Sequence, residues 1–181
     1  DGTRRLLRTH RVSVCRGSSF DEDIECPEGG VLRITRALGD AFPGRVTSSA
    51  LSESTIVGVS ISLALAGDRP VAFLQFADFL PLAFNQIASE LGSMYWRTAG
   101  GWECPVIVMI ACGGYRPGLG PFHAQTMESV AAHVPGLAVF MPGHPAEAAR
   151  LPTAPVESGP PTRVVVREAC PKARTSLPPP A

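Results

Sequence analysis

The sequence predicts an α/β fold, a mainly parallel sheet with helices on both faces, and three observations predict it. Apolar runs of strand length alternate with segments of helical periodicity. The links between them are short. One run, Pro105 to Ile110, is apolar without interruption, the pattern of a strand buried on both faces of a parallel sheet. The 181 residues suffice for one such domain and are too few for two ordinary ones.

Residues 1–20 read as an N-terminal arm, basic at Arg4, Arg5 and Arg8, followed by a short first strand at Val12-Ser13-Val14-Cys15. An acidic, glycine-bearing loop runs from Arg16 to Gly30. Val31, Leu32, Ile34, Leu38 and Phe42 recur at helical spacing, and Pro43-Gly44 stops that helix. Val46-Thr47-Ser48 reads as a second short strand. Ser52 is a good N-cap for a helix that ends at Gly67. A strand follows over Val71–Gln75, and then a long helix over Pro81–Tyr95. Beyond the Pro105–Ile110 strand lie a glycine-rich loop (Gly113–Gly120), a shorter helix near Thr126–His133 and a strand over Leu137–Phe140. A helix over Pro145–Leu151 and a last strand over Thr162–Val166 complete the α/β domain, residues 21–168. Residues 169–181 form a proline-rich tail.

Composition narrows function. An apolar fraction of 45% and a charged fraction of 18% describe a globular chain. Formal net charge is zero, so no field draws in nucleic acid or a membrane surface. The longest apolar run, Ile56 to Ala66, is too short to span a bilayer. There is no signal-peptide pattern. Five cysteines, odd in number and without a C-x-x-C pair, disfavour zinc and a disulfide framework, and the reading is reduced thiols in the cytoplasm. The chain starts at Asp1 without methionine, consistent with a fragment or processed product.

In a parallel sheet, ligands bind beyond the carboxyl ends of the strands. The loops expected there are 48–52, 76–79 and 111–125. Glu53 sits at the first of them. A first-turn acid commonly does no more than complement the helix macrodipole. Leu51, Ile56, Val57 and the strand at Val71 would instead enclose this one, and apolar surroundings hold a carboxyl back from ionising. Such a group can exchange a proton with a ring nitrogen. Phe79 by itself reads as ordinary core packing. His123, after Gly118-Leu119-Gly120-Pro121, reads by itself as a solvated loop histidine, and His133 packs or caps near a helix end. Gly113 to Gly120 lacks the spacing of a phosphate loop or a dinucleotide fingerprint.

Several segments in order carry a resemblance: Glu22-Asp23-Ile24-Glu25, Phe42-Pro43-Gly44-Arg45-Val46, Leu51-Ser52-Glu53 and Gln75-Phe76-Ala77-Asp78-Phe79. Ala83-Phe84-Asn85-Gln86-Ile87, Gly113-Gly114-Tyr115, His123-Ala124-Gln125 and His133-Val134-Pro135-Gly136-Leu137 continue it. Together they resemble the beta subunit of thiamin-diphosphate-dependent 2-oxo acid dehydrogenase E1 components, a transketolase-like pyrimidine-binding domain. The chain looks closest to the kind in which alpha and beta portions can be fused. The resemblance implies that Glu53 meets the aminopyrimidine N1′ of thiamin diphosphate, while Leu51, Gln75 and Phe79 wall or contact that ring. It implies that His123 binds or protonates the 2-oxo acid intermediate, and that the cofactor supplies the carbon chemistry.

The departures are specific. Phe79 stands where the family often has tyrosine, and Ala124 where it has serine. The strand Val108-Met109-Ile110-Ala111-Cys112 lacks the family's usual arginine and proline, and Arg16-Gly17-Ser18-Ser19 looks inserted. Neither Gly39-Asp40 nor Gly67-Asp68 is followed by the glycine of a diphosphate motif. The resemblance therefore implies that Mg2+ and the diphosphate are held by an alpha-type E1 partner. It also implies a heterotetramer with a second beta copy, and a lipoyl-bearing E2 that receives the acyl group. The family's third domain is expected to be missing. The rival readings are a truncated, non-catalytic assembly module and a part of another thiamin enzyme such as a split transketolase.

Overall fold

The computed structural model describes residues 48–114 and 117–143, the isolated positions 40, 45, 46 and 147, and the backbone of 162–167. The expected first strand, the helix over Val31–Phe42 (apart from Asp40), the helix over Pro145–Leu151 (apart from Glu147) and the tail lie outside the described residues. So do His10, Arg116, His144, Cys15, Cys26 and Cys170.

Four parallel strands form one sheet. They are β1 (Val71–Leu74), β2 (Ile107–Cys112), β3 (Ala138–Phe140) and β4 (Thr162–Arg167), in the spatial order β1-β2-β4-β3. Leu74 pairs with Ile110, Cys112 with Arg167, and Phe140 with Val164. Because β2 is paired on both sides, all its backbone groups can be satisfied, and its apolar composition suits that place. It starts two residues later than the sequence pattern suggests. Pro105 has no N–H to donate, Val106 N–H turns back to Cys104 O (2.8 Å), and Ile107 N–H is the first to reach across, to Pro70 O (3.1 Å). The strand then runs on to Cys112, and the absence of proline from Val108–Cys112 leaves every rung of the ladder possible.

The first helix, α1 (Glu53–Leu65), is the one the sequence anticipates. Ser52 is extended and its Oγ accepts the Thr55 N–H (3.4 Å). At the other end Gly67 adopts φ 98°, Gly67 N–H bonds Ala64 O and Asp68 N–H bonds Leu63 O, both at 3.0 Å. That reciprocal pair closes the last carbonyls and needs a left-handed residue, which glycine supplies without strain. Val57, Ile61 and Ala64 are buried, and α1 packs on β1.

Two expectations are corrected. Val46 and Ser48 lie outside any strand, although Val46 is buried. The long helix over Pro81–Tyr95 is three coiled pieces: a 3-10 helix over Ala77–Ala83, a π-helical stretch over Gln86–Leu91 and α2 (Gly92–Arg97). Pro81 cannot donate to the carbonyl four residues back, which disfavours an α-helical start. At the far end Gly92 meets the segment before β3 at backbone range. A Cβ on Gly92 would fall 2.7 Å from Val134 Cγ1, and one on Gly136 would fall 2.1 Å from Gly92 O. Along these pieces Leu80, Ile87 and Leu91 stay fully buried, while Gly92 lies against Gly136. Each such aliphatic contributes about 1.5–3 kcal/mol by leaving water.

The remaining helix, α3 (Glu128–Ala132), is shorter than the pattern suggests, and His133 forms its C-cap with its N–H on Ser129 O (3.1 Å), as expected of it. Cys104 and Cys112 are buried thiols. Among the described residues no helix is long and apolar enough to cross a membrane.

Candidate functional site

The parallel register decides where the site lies. Leu74 and Ile110 sit side by side, so the segments that leave β1 and β2 emerge at the same edge of the sheet. The link 66–70 turns the chain straight back from α1 into β1, so the N-terminus of α1 lies towards that edge too. Glu53, the Gln75–Phe79 segment and the loop after Cys112 thus gather at the carboxyl edge, where parallel sheets bind ligands.

Glu53 is buried, 9% exposed. The ordinary duty of a first-turn acid, satisfying orphan N–H groups, is performed by Ser52, whose Oγ also lies 2.9 Å from Thr55 Oγ1. Glu53 is left with no hydrogen-bond partner among the described residues.

Gln75 repeats that condition one strand away. Its Nε2 and Oε1 are both buried and neither has a partner among the described residues. A side-chain amide offers one donor and one acceptor in a plane. The edge of an aminopyrimidine, an amino group beside a ring nitrogen, is complementary to that pair, so the residues present fit such a ring.

Beyond Gln75 the chain builds an aromatic box. Phe76 and Ala111 are buried together, with Phe79 and Leu119 packed against them. His123 stands edge-on to both rings, its centroid 4.9 Å from Phe76 and 5.6 Å from Phe79. Phe76 and Phe79 are themselves edge-on at 6.2 Å. These contacts correct the reading of His123 as a solvated loop residue; it is half-buried in an aromatic corner.

The loop carrying His123 is tied at its far end. Gln125 N–H donates to Asp78 Oδ2 (3.3 Å), Gly113 N–H donates to Gln125 O (3.4 Å), and Gln125 Nε2 donates to Pro121 O (2.9 Å). Ala124, where a hydroxyl is lost, faces Gly114 closely: a Cβ there would lie 3.4 Å from its methyl.

Phe79 and His123 are thus brought into contact, with Gln75 four residues before Phe79, directly after β1. No hydrogen bond or ring contact joins Glu53 or Leu51 to them among the described residues. Leu51 is 77% exposed. Sequence reasoning passed over Phe76 and Asp78 as site residues. The available signal was their place between Gln75 and Phe79, with Phe76 directly after the strand. Among the described residues no cluster of histidine, cysteine or acidic groups could hold a metal ion.

Known proteins resemble this chain in sequence and in fold. The family described as transketolase, pyrimidine binding domain, matches residues 17–174. The 2-oxoisovalerate dehydrogenase subunit beta of Bacillus subtilis is 41% identical over 122 residues, 67% of this chain and 37% of that protein. The 3-methyl-2-oxobutanoate dehydrogenase subunit beta of Mycobacterium tuberculosis is 40% identical over 131 residues, 71% of this chain and 37% of that one. The pyruvate dehydrogenase E1 component subunit beta of Leifsonia xyli is 36% identical over 143 residues, 78% and 42%. The chain therefore spans about two fifths of the length of these relatives. Among solved structures, a split-gene transketolase described as an inactive beta4 tetramer superposes over 97% of this chain and 53% of its own, with a TM-score of 0.66 at 19% identity. That likeness concerns the fold.

Proposed function

The chain belongs to the transketolase pyrimidine-binding domain family, and on that premise we propose that it is the E1 beta-like half of a 2-oxo acid dehydrogenase site. It holds the aminopyrimidine of thiamin diphosphate. An alpha-type partner holds the diphosphate and its Mg2+, a second beta copy completes the assembly, and the acyl product passes to a lipoyl-bearing E2. The observation that carries this reading is the amide of Gln75, buried without a partner among the described residues, beside β1 and in the same sheet-edge region as the buried residue Glu53.

Bound thiamin diphosphate supplies the nucleophilic carbon and the electron sink for loss of CO2. The chain's own residues have narrower tasks. Glu53 exchanges a proton with the ring nitrogen N1′. Gln75 fixes the orientation of the amino edge, and Phe79, without the hydroxyl of a tyrosine, contributes its ring face alone. Leu51, exposed in the single chain, closes the wall once a partner stands against it. His123 meets the 2-oxo acid at the reacting end, where the Phe76 and Phe79 rings restrict its motion.

Calorimetric titration of thiamin diphosphate and Mg2+ into a mixture of this chain with an alpha-type E1 partner tests the proposal. Binding heat with the mixture, and none with either chain alone, is the expected result. No heat with the mixture would instead favour a non-catalytic assembly module. Where binding is found, turnover of 2-oxoisovalerate, pyruvate and sugar phosphates separates a 2-oxo acid dehydrogenase from a split transketolase.

A further inference from the structure

We infer that Asp78 is a positioning residue: its carboxylate latches the loop that carries His123 onto the segment that carries Phe79. The inference rests on the proposed placement of His123 at the reacting end of the site. Asp78 lies in the 3-10 helix that follows β1, directly before Phe79 and two residues after Phe76. Its Oδ2 accepts the backbone N–H of Gln125, 47 residues away in sequence and two residues after His123. The carbonyl of the same Gln125 accepts from Gly113 at the end of β2. One peptide group on each side of Gln125 is therefore spent on tying the loop down, one bond to each of the two strand ends that frame the site.

The chemistry of the latch is asymmetric. A carboxylate accepts an N–H more strongly than a neutral oxygen does. The second oxygen, Oδ1, is buried with no partner among the described residues. Folding alone is not served by an orphaned carboxylate oxygen. It is tolerable where the other oxygen sets the position of a group that the site needs. Here that group is His123, whose ring contacts with Phe76 and Phe79 leave it laterally held but carry no hydrogen bond among the described residues. Losing the latch leaves the Gln125 side held by the Gly113 bond alone, while the apolar packing of Leu119 retains the other.

The test uses the full chain with its histidine ring carbons labelled for NMR. In the wild type, Phe76 and Phe79 shift the His123 ring resonances away from those of a solvated histidine. Asp78→Ala should move them towards the solvated values and speed exchange of the Gln125 amide by about tenfold, the weight of one such hydrogen bond. Methyl signals of Leu74, Leu80 and Ile87 should stay in place. Asp78→Asn, which keeps an acceptor oxygen, should restore most of the His123 shift; a merely structural acid would show no such split. Unchanged His123 shifts and Gln125 exchange in a folded Asp78→Ala chain would overturn the inference. If that variant fails to fold, the wild-type Gln125 amide decides: exchange at the rate of an unprotected amide overturns the latch, and protection of about tenfold or more supports it. These readouts need no cofactor, so their failure is separate from a failure of thiamin diphosphate binding.

Discussion

The ring of His123 stands edge-on to that of Phe76, centroids 4.9 Å apart and planes at 80°. Phe76 follows the end of β1 and His123 lies in the loop after the adjacent parallel strand β2, so the contact joins two segments that are remote in sequence. A candidate catalytic group is thereby held by a buried ring, 5% exposed, with no cap or ion pair required.

Replacing that ring should have a local effect larger than its stability cost. Phe76→Leu keeps an apolar side chain and should lower stability by about 1–2 kcal/mol, part of it the aromatic pair term. Urea denaturation measures that loss. The His123 ring signals should collapse towards solvated values in the same variant while still folded.

Gln75 should show opposite signs for stability and binding. Its amide is buried without partners, so Gln75→Leu removes an uncompensated polar group and should leave the chain as stable or up to about 1 kcal/mol more so. Affinity of the assembled site for thiamin diphosphate should fall by about tenfold or more, because two hydrogen bonds to the ring edge are lost. Denaturation of the chain and calorimetry of the assembly read the two effects separately.

The glycine pair at α2 tests the packing account. Gly136 has φ 79° and its missing Cβ would lie 2.1 Å from Gly92 O. Gly136→Ala should cost about 2–4 kcal/mol through strain and collision together. A thermal scan should show a clearly lowered midpoint. A midpoint equal to wild type would mean that α2 is not locked against the segment before β3.

Much of this was legible in the residues. Ser52 and Gly67 mark the ends of α1 by their chemistry, and the apolar run through Ile110 identifies a central parallel strand. Gln75, Phe79 and His123 could be picked out only through the family resemblance, since by themselves Phe79 reads as core packing and His123 as a solvated loop residue. The coiled segment from Ala77 to Arg97 was not legible, since Pro81 and the distant Gly92–Gly136 contact together set its wind, and only one of them is local. The aromatic corner was also hidden. Nothing in the spacing of Phe76 and His123 predicts that strand register will place their rings in contact.

The most direct test of the central claim is turnover by the assembled enzyme carrying Glu53→Gln, assayed as decarboxylation of 2-oxoisovalerate with an artificial electron acceptor. The amide preserves shape and hydrogen bonding but cannot exchange the proton. Thiamin diphosphate should still bind, while the rate should fall by about 10²–10⁴, the range for removal of a general acid–base. Wild-type turnover with glutamine at position 53 would contradict the account.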